Sequence, residues 1–157
     1  MSETKDTSTI DGVIITPKRK IFDDRGGIFH MLRRDDPEFK EFGEIYFSKV
    51  YPNVVKAWHH HSKMDLNYFC VYGSIRLALY DGRNYSPTQG LYQEIVLHEQ
   101  ESKLVTVPHG IWNGFRGLGN TPSLIANCAT EPHDPEEITY KPIDDPMFNY
   151  SWEQRHG

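Results

Sequence analysis

Apolar positions in this chain come in short runs broken by Gly, Pro, Asn or Asp, and no long window carries the 3.6-residue spacing of an amphipathic helix. Runs rich in Val, Ile, Tyr, Phe and Trp predict strands over residues 44–50, 54–61, 66–72, 75–80, 93–97, 103–107, 112–116 and 123–129. Upstream, Val13-Ile14-Ile15 reads as a strand, and a turn over 22–27 leads into another strand at 28–32. Residues 35–42, with an Asp cap and Pro37 near the start, predict a single short helical turn. So many short strands without intervening helices predict an all-β fold, a jelly-roll β-barrel or sandwich. Residues 1–9 are polar and mixed in charge, the composition of a disordered tail, which leaves 10–157 as a single domain. The stretch from Pro132 onward, rich in Pro, Asp and aromatics, is expected to wrap the outside as loops.

Composition narrows the function classes. At 157 residues the chain has the length of one domain, and 13% aromatic residues with ten prolines favour strands and turns over long helices. A net charge of −5 argues against a nucleic-acid or anionic-membrane surface, so an anionic ligand has to be met by local Lys and Arg. Cys70 and Cys128 lie in apolar stretches outside any Cys-x-x-Cys pair and read as buried free thiols. The N-terminus lacks the basic-then-apolar pattern of a signal peptide and no run reaches membrane-spanning length, so the expected location is the cytoplasm.

The candidate chemistry concentrates in Lys56-Ala57-Trp58-His59-His60-His61 and in Val107-Pro108-His109-Gly110-Ile111-Trp112-Asn113-Gly114-Phe115. Side chains alternate along a strand, so His59 and His61 share one face while Trp58 and His60 share the other. Two imidazoles on one strand face, with a Pro-x-Gly turn delivering a polar residue to the same cavity, are how a small β-barrel builds a site. The plainer reading is a solvated strand end. The position of the run between Val54-Val55 and Tyr68-Phe69 argues against it.

Taken in order, Asp24-Arg25-Gly26, Val55-Lys56-Ala57-Trp58-His59, Gly73, Leu79-Tyr80-Asp81-Gly82-Arg83, Ser86-Pro87-Thr88-Gln89-Gly90, Val107-Pro108-His109-Gly110 and Gly114-Phe115 resemble the dTDP-4-dehydrorhamnose 3,5-epimerase family of cupins. The segment from Asp81 to Gly90 is the most distinctive, and Pro108 to Phe115 supports it independently. The resemblance implies an RmlC-like cupin jelly roll that binds a nucleoside-diphosphate 4-keto-6-deoxy sugar and needs no cofactor or metal. The ketone acidifies the adjacent C–H bonds; a base removes one proton, donors hold the enolate, and an acid returns a proton to the other face. His59 falls on the family's catalytic histidine, Lys56 where the family has an arginine beside sugar and phosphates, and Arg25 on an arginine that contacts the nucleotide. Exchanged N-terminal strands complete such contacts in the family, which implies a homodimer.

The chain also departs from the family pattern. The family's acid tyrosine aligns with Ala126, its lysine after the histidine motif with Leu66, and its Ala-His-Gly-Phe becomes Trp112-Asn113-Gly114-Phe115. The C-terminal aspartate that orients the family's histidine has no counterpart after Asp145. Tyr68 and Tyr72 share a strand face, and Tyr68 is the candidate for the missing acid, although barrel aromatics are more often core residues. His61 is a second base or a sugar-hydroxyl partner, with Asn113, Trp112 and Asp65 as further substrate contacts; Trp58 or Trp112 could instead pack under the sheet. Lys103 and Arg116 are candidate diphosphate contacts or merely solvated, and His98, His133 and His156 read as surface groups. The expected function is therefore epimerisation or isomerisation of a nucleotide-activated 4-keto-6-deoxy sugar with His59 as base. Two alternatives stay open: a non-catalytic sugar-nucleotide-binding cupin, and a metal-dependent cupin enzyme using His59, His61 and Asp65.

Overall fold

The computed structural model describes residues 9–153. Apart from Thr9, the expected N-terminal tail lies outside the described residues, as does His156. The fold is all-β, with twelve strands and no helix among the described residues. The strands are β1 (Ile14–Pro17), β2 (Lys20–Asp23), β3 (Gly26–Phe29), β4 (Glu44–Val50), β5 (Val55–His61) and β6 (Leu66–Tyr72), followed by β7 (Ser74–Tyr80), β8 (Tyr92–His98), β9 (Lys103–Val107), β10 (Trp112–Gly117), β11 (Ser123–Ala129) and β12 (Ile138–Tyr140). Two five-stranded antiparallel sheets form, ordered β1-β9-β6-β11-β4 and β12-β5-β10-β7-β8, and β2-β3 stands apart as a hairpin. This is the jelly-roll architecture expected from the sequence.

Between the sheets lies a core of Ile10, Val50, Leu66, Ile75, Leu77, Leu79, Leu97, Val105 and Ile125, each fully or almost fully buried. A second apolar layer covers the outer face of the β12-β5-β10-β7-β8 sheet. There Trp58 stacks on Phe148 with centroids 4.4 Å apart and packs against Trp152 at 5.1 Å. The C-terminal stretch thus wraps the outside of that sheet, as its composition suggested, and Trp58 and Trp112 are packing residues in this layer.

Three local expectations are corrected. Residues 35–42 form no helix: Asp36 spends its carboxylate on the Arg33 N–H and Lys18, and one Phe39 N–H to Asp36 carbonyl bond makes an isolated turn. The turn expected over 22–27 is tighter, with only Asp24 and Arg25 between β2 and β3. β2 and β12 were not anticipated.

The motif from Asp81 to Gly90 proves to be a structural clamp. Fully buried Asp81 accepts Arg83 Nε at 2.9 Å, the Ser86 hydroxyl at 2.6 Å and the Thr88 hydroxyl at 2.7 Å. Burial alone would raise its pKa, but these donors hold the carboxyl far below the usual carboxylate range. Arg83 also donates to the Asp11 carbonyl at 2.6 Å, and the Asp11 N–H to Thr88 at 2.9 Å, tying the N-terminal segment to this turn.

Candidate active site

A cavity of about 190 Å³ opens between the two sheets, lined by Tyr46, Ser48, Lys56, His59, His61, Tyr68, Phe115, Ile125 and Asn127. Strand alternation accounts for most of this wall. β4 contributes Tyr46 and Ser48 two residues apart, β11 contributes Ile125 and Asn127, and β5 contributes His59 and His61. His60 points the other way, its ring 4.9 Å from that of Trp112, so the expected facing of the histidine run holds. Lys56 breaks the alternation. The β5–β10 register slips, pairing Asn113 with His59 but Phe115 with Lys56, and the irregularity turns Lys56 onto the histidine face. Gly114 sits at the slip, where an added Cβ would lie 2.4 Å from the Ala57 Cβ, so only glycine fits.

Within the cavity the electrostatics differ between the two histidines. Burial, together with the charges of His61 and Lys56, lowers the His59 imidazole to about 4. Its ring lies edge-on to Tyr140 at 5.4 Å, and among the described residues no protein hydrogen bond reaches its nitrogens. It is therefore a neutral imidazole with both nitrogens available to a ligand. His61 is fixed instead: its Nδ1 lies 2.6 Å from Glu137 Oε1, and Glu137 Oε2 accepts the Lys63 and Met64 N–H groups at 2.9 and 2.8 Å. Burial would push the Glu137 carboxyl up, but these donors hold it below its ordinary value, so it accepts the Nδ1–H of His61 and leaves Nε2 as the nitrogen without a protein partner among the described residues. Lys56 Nζ donates to Ser48 Oγ at 3.1 Å and brings positive charge to the wall.

Of the residues singled out in the sequence, Lys56, His59, His61 and Tyr68 meet in this cavity, and the others do not. Asp65 is turned away: its carboxylate holds Lys40 Nζ at 2.7 Å and the backbone N–H and Nδ1 of His109, both at 2.8 Å. The facial set of His59, His61 and Asp65 is thus not assembled. Trp112 belongs to the outer aromatic layer, and Asn113 stands behind the wall, bonded to Tyr68 and the His59 carbonyl. Arg25 lies at the tip of the β2–β3 hairpin, its side chain 90% exposed and paired with Asp23 at 2.6 Å, outside this chain's own cavity. Tyr72 is exposed, away from the cavity. Ala126 lines a groove on the outer face of its sheet, so the aligned position of the family's tyrosine cannot address the cavity; its neighbour Asn127 does.

Sequence reading missed Tyr46, Asn127, Glu137 and Tyr140. Asn127 had a signal, a polar residue inside the apolar Leu124–Ala129 run, which a buried strand tolerates only when hydrogen-bonded. Glu137 and Tyr140 had none, because both arrive with β12, whose pairing with β5 sets Ile138 opposite His61 and Tyr140 opposite His59.

Known proteins give this geometry its context. Spore coat polysaccharide biosynthesis protein SpsL of Bacillus subtilis (strain 168) is 35% identical over 145 residues, spanning 91% of this chain and 96% of that protein. "Probable low-salt glycan biosynthesis epimerase Agl13" of Haloferax volcanii is 36% identical over 140 residues, 86% of this chain and 90% of its own length. A crystal structure of a dTDP sugar isomerase from Desulfovibrio desulfuricans G20 superposes with a TM-score of 0.88 at 41% identity, over 91% of this chain and 92% of that one. The profile of dTDP-4-dehydrorhamnose 3,5-epimerase matches residues 7–156. Since that match runs nearly from end to end and the fold agrees with it, the chain belongs to the dTDP-4-dehydrorhamnose 3,5-epimerase family of sugar-nucleotide epimerases.

Proposed function

We propose that this enzyme epimerises a nucleoside-diphosphate 4-keto-6-deoxy sugar next to the ketone, with His59 as the base. The observation that carries the reading is the state of His59: an imidazole lowered to about 4, unbonded at both nitrogens and facing the cavity, is ready to accept a proton at neutral pH. At about 190 Å³ the cavity suits one sugar ring and not a whole nucleotide sugar. The nucleotide then lies beyond the mouth, where a neighbouring hollow lined by Glu44, Tyr46, His61, Met64, His133 and Tyr140 shares two walls with it. Lys56 supplies positive charge for the enolate oxygen or the nearer phosphate, and His61, its tautomer fixed by Glu137, presents Nε2 to a sugar hydroxyl.

The same reading makes the working unit a homodimer. Ile45 and Phe47 on β4 and Val71 on β6 are exposed on the outer face of one sheet, and Phe22, Ile28 and Phe29 on the hairpin are exposed beside it. Apolar exposure on this scale marks an interaction surface. A second copy seated there receives the hairpin, and Arg25, free of its own cavity, reaches the partner's nucleotide. The direct test is incubation with dTDP-4-keto-6-deoxyglucose and NMR of the products. New signals of an epimer at C3 or C5 are expected, and an unchanged sugar across a panel of nucleotides would refute the reading.

A further inference from the structure

Two asparagines fix the direction of the hydrogen bonds made by the cavity's two phenols, Tyr46 and Tyr68. Asn127 Oδ1 accepts the Asn67 backbone N–H at 2.9 Å, so the atom it turns toward Tyr46 is the amide nitrogen, which donates to the Tyr46 hydroxyl at 2.9 Å. The Tyr46 oxygen is an acceptor in that bond, and its own proton is left free. Tyr68 is the reverse case. Asn113 Nδ2 donates to the His59 carbonyl at 3.2 Å, which leaves Oδ1 toward Tyr68, and the Tyr68 hydroxyl must give its proton to it at 2.8 Å. One phenol holds a proton to give, and the other has committed it.

Tyr46 stands on β4 in one sheet, whereas His59 stands on β5 in the other, so the two line opposite walls of one cavity. Inverting a carbon next to a ketone requires removal of a proton from one face and delivery of a proton to the other. We propose that Tyr46 is the acid that delivers that proton, with Asn127 as the residue that positions its hydroxyl; this rests on the epimerase reading above. In the step, His59 takes the C–H proton and the electron pair moves into the enolate. The enolate carbon then takes the Tyr46 proton, the C=O bond reforms, and the resulting phenolate and the imidazolium are restored by one proton passing between them through solvent. Burial raises the Tyr46 pKa and keeps the phenol protonated at neutral pH. The proposal supplies the acid that Ala126, on the outer face, cannot, and it reassigns the role expected for Tyr68.

The test is Tyr46→Phe, incubated with dTDP-4-keto-6-deoxyglucose in D2O and followed by proton NMR. His59 can still remove a proton and return a deuteron to the same face, so exchange with retained configuration should stay within a few-fold of wild type. The inverted product should fall at least about 100-fold, the weight of a general acid. Asn127→Ala, which keeps the phenol but frees it, should lose inversion to a smaller extent, again with exchange retained. Inversion at the wild-type rate in Tyr46→Phe would overturn the assignment, as would exchange and inversion falling together. Failure of the epimerase reading looks different: wild type itself would then show neither exchange nor inversion, and the role of Tyr46 would fall with it.

Discussion

His59 illustrates how far burial, with His61 and Lys56 beside it, can hold an imidazole neutral. A histidine in solution titrates near 6.5, whereas this one, desolvated and beside His61 and Lys56, is lowered to about 4. The acidic limb of kcat/KM against pH should therefore fall near pH 4 and not near 6.5, and a limb at 6.5 would mean that another group is the base. The same shift contributes to stability: between about 4 and 6.5 the unfolded chain binds the proton and the folded one does not, so this contribution is fully present above 6.5 and is lost as pH falls toward 4. Lys56, His59, His61 and Tyr68 were readable from the sequence because a motif and a two-residue alternation point to them. Tyr46 and Glu137 were not, since what ties them to the site is a hydrogen bond to a residue 81 positions away in one case and 76 in the other.

At the scale of elements, the slip between β5 and β10 decides whether Lys56 faces the cavity. Gly114→Ala would drive a Cβ into Ala57 and the Lys56 carbonyl, so it should cost about 1–3 kcal/mol by overpacking and also displace Lys56. Thermal denaturation and kcat/KM should fall together; a variant of wild-type stability and activity would show that the slip does not depend on glycine. The eight strands expected from residue 44 onward appear within about two residues of their predicted ends, because each is an apolar run bounded by turn residues. β12 escaped notice for the opposite reason: Ile138–Tyr140 is a short edge strand, mostly exposed, with little apolar pattern to read. The expected helical turn failed because Asp36 was committed to Lys18, a tertiary contact that local propensity does not register.

For the whole molecule, the two sheets set His59 on one wall of the cavity and Tyr46 on the other, while the hairpin carries Arg25 away from both. If Arg25 serves the partner's cavity, Arg25→Ala should weaken a nucleoside diphosphate by about 1.5–3 kcal/mol without unfolding the chain. Mixing Arg25→Ala with His59→Ala should then restore about a quarter of wild-type activity, since half the dimers pair one of each and one of their two cavities is intact. No recovery on mixing would place Arg25 outside the site. The central claim is that His59 abstracts a proton next to a ketone, and the most direct measurement is deuterium entry into dTDP-4-keto-6-deoxyglucose in D2O. Wild type should incorporate deuterium at C3 or C5, and His59→Ala, checked for folding by its melting curve, should do so at least about 100-fold more slowly. Undiminished incorporation in His59→Ala would contradict the account and move the base to another residue of the cavity, with His61 the first to test.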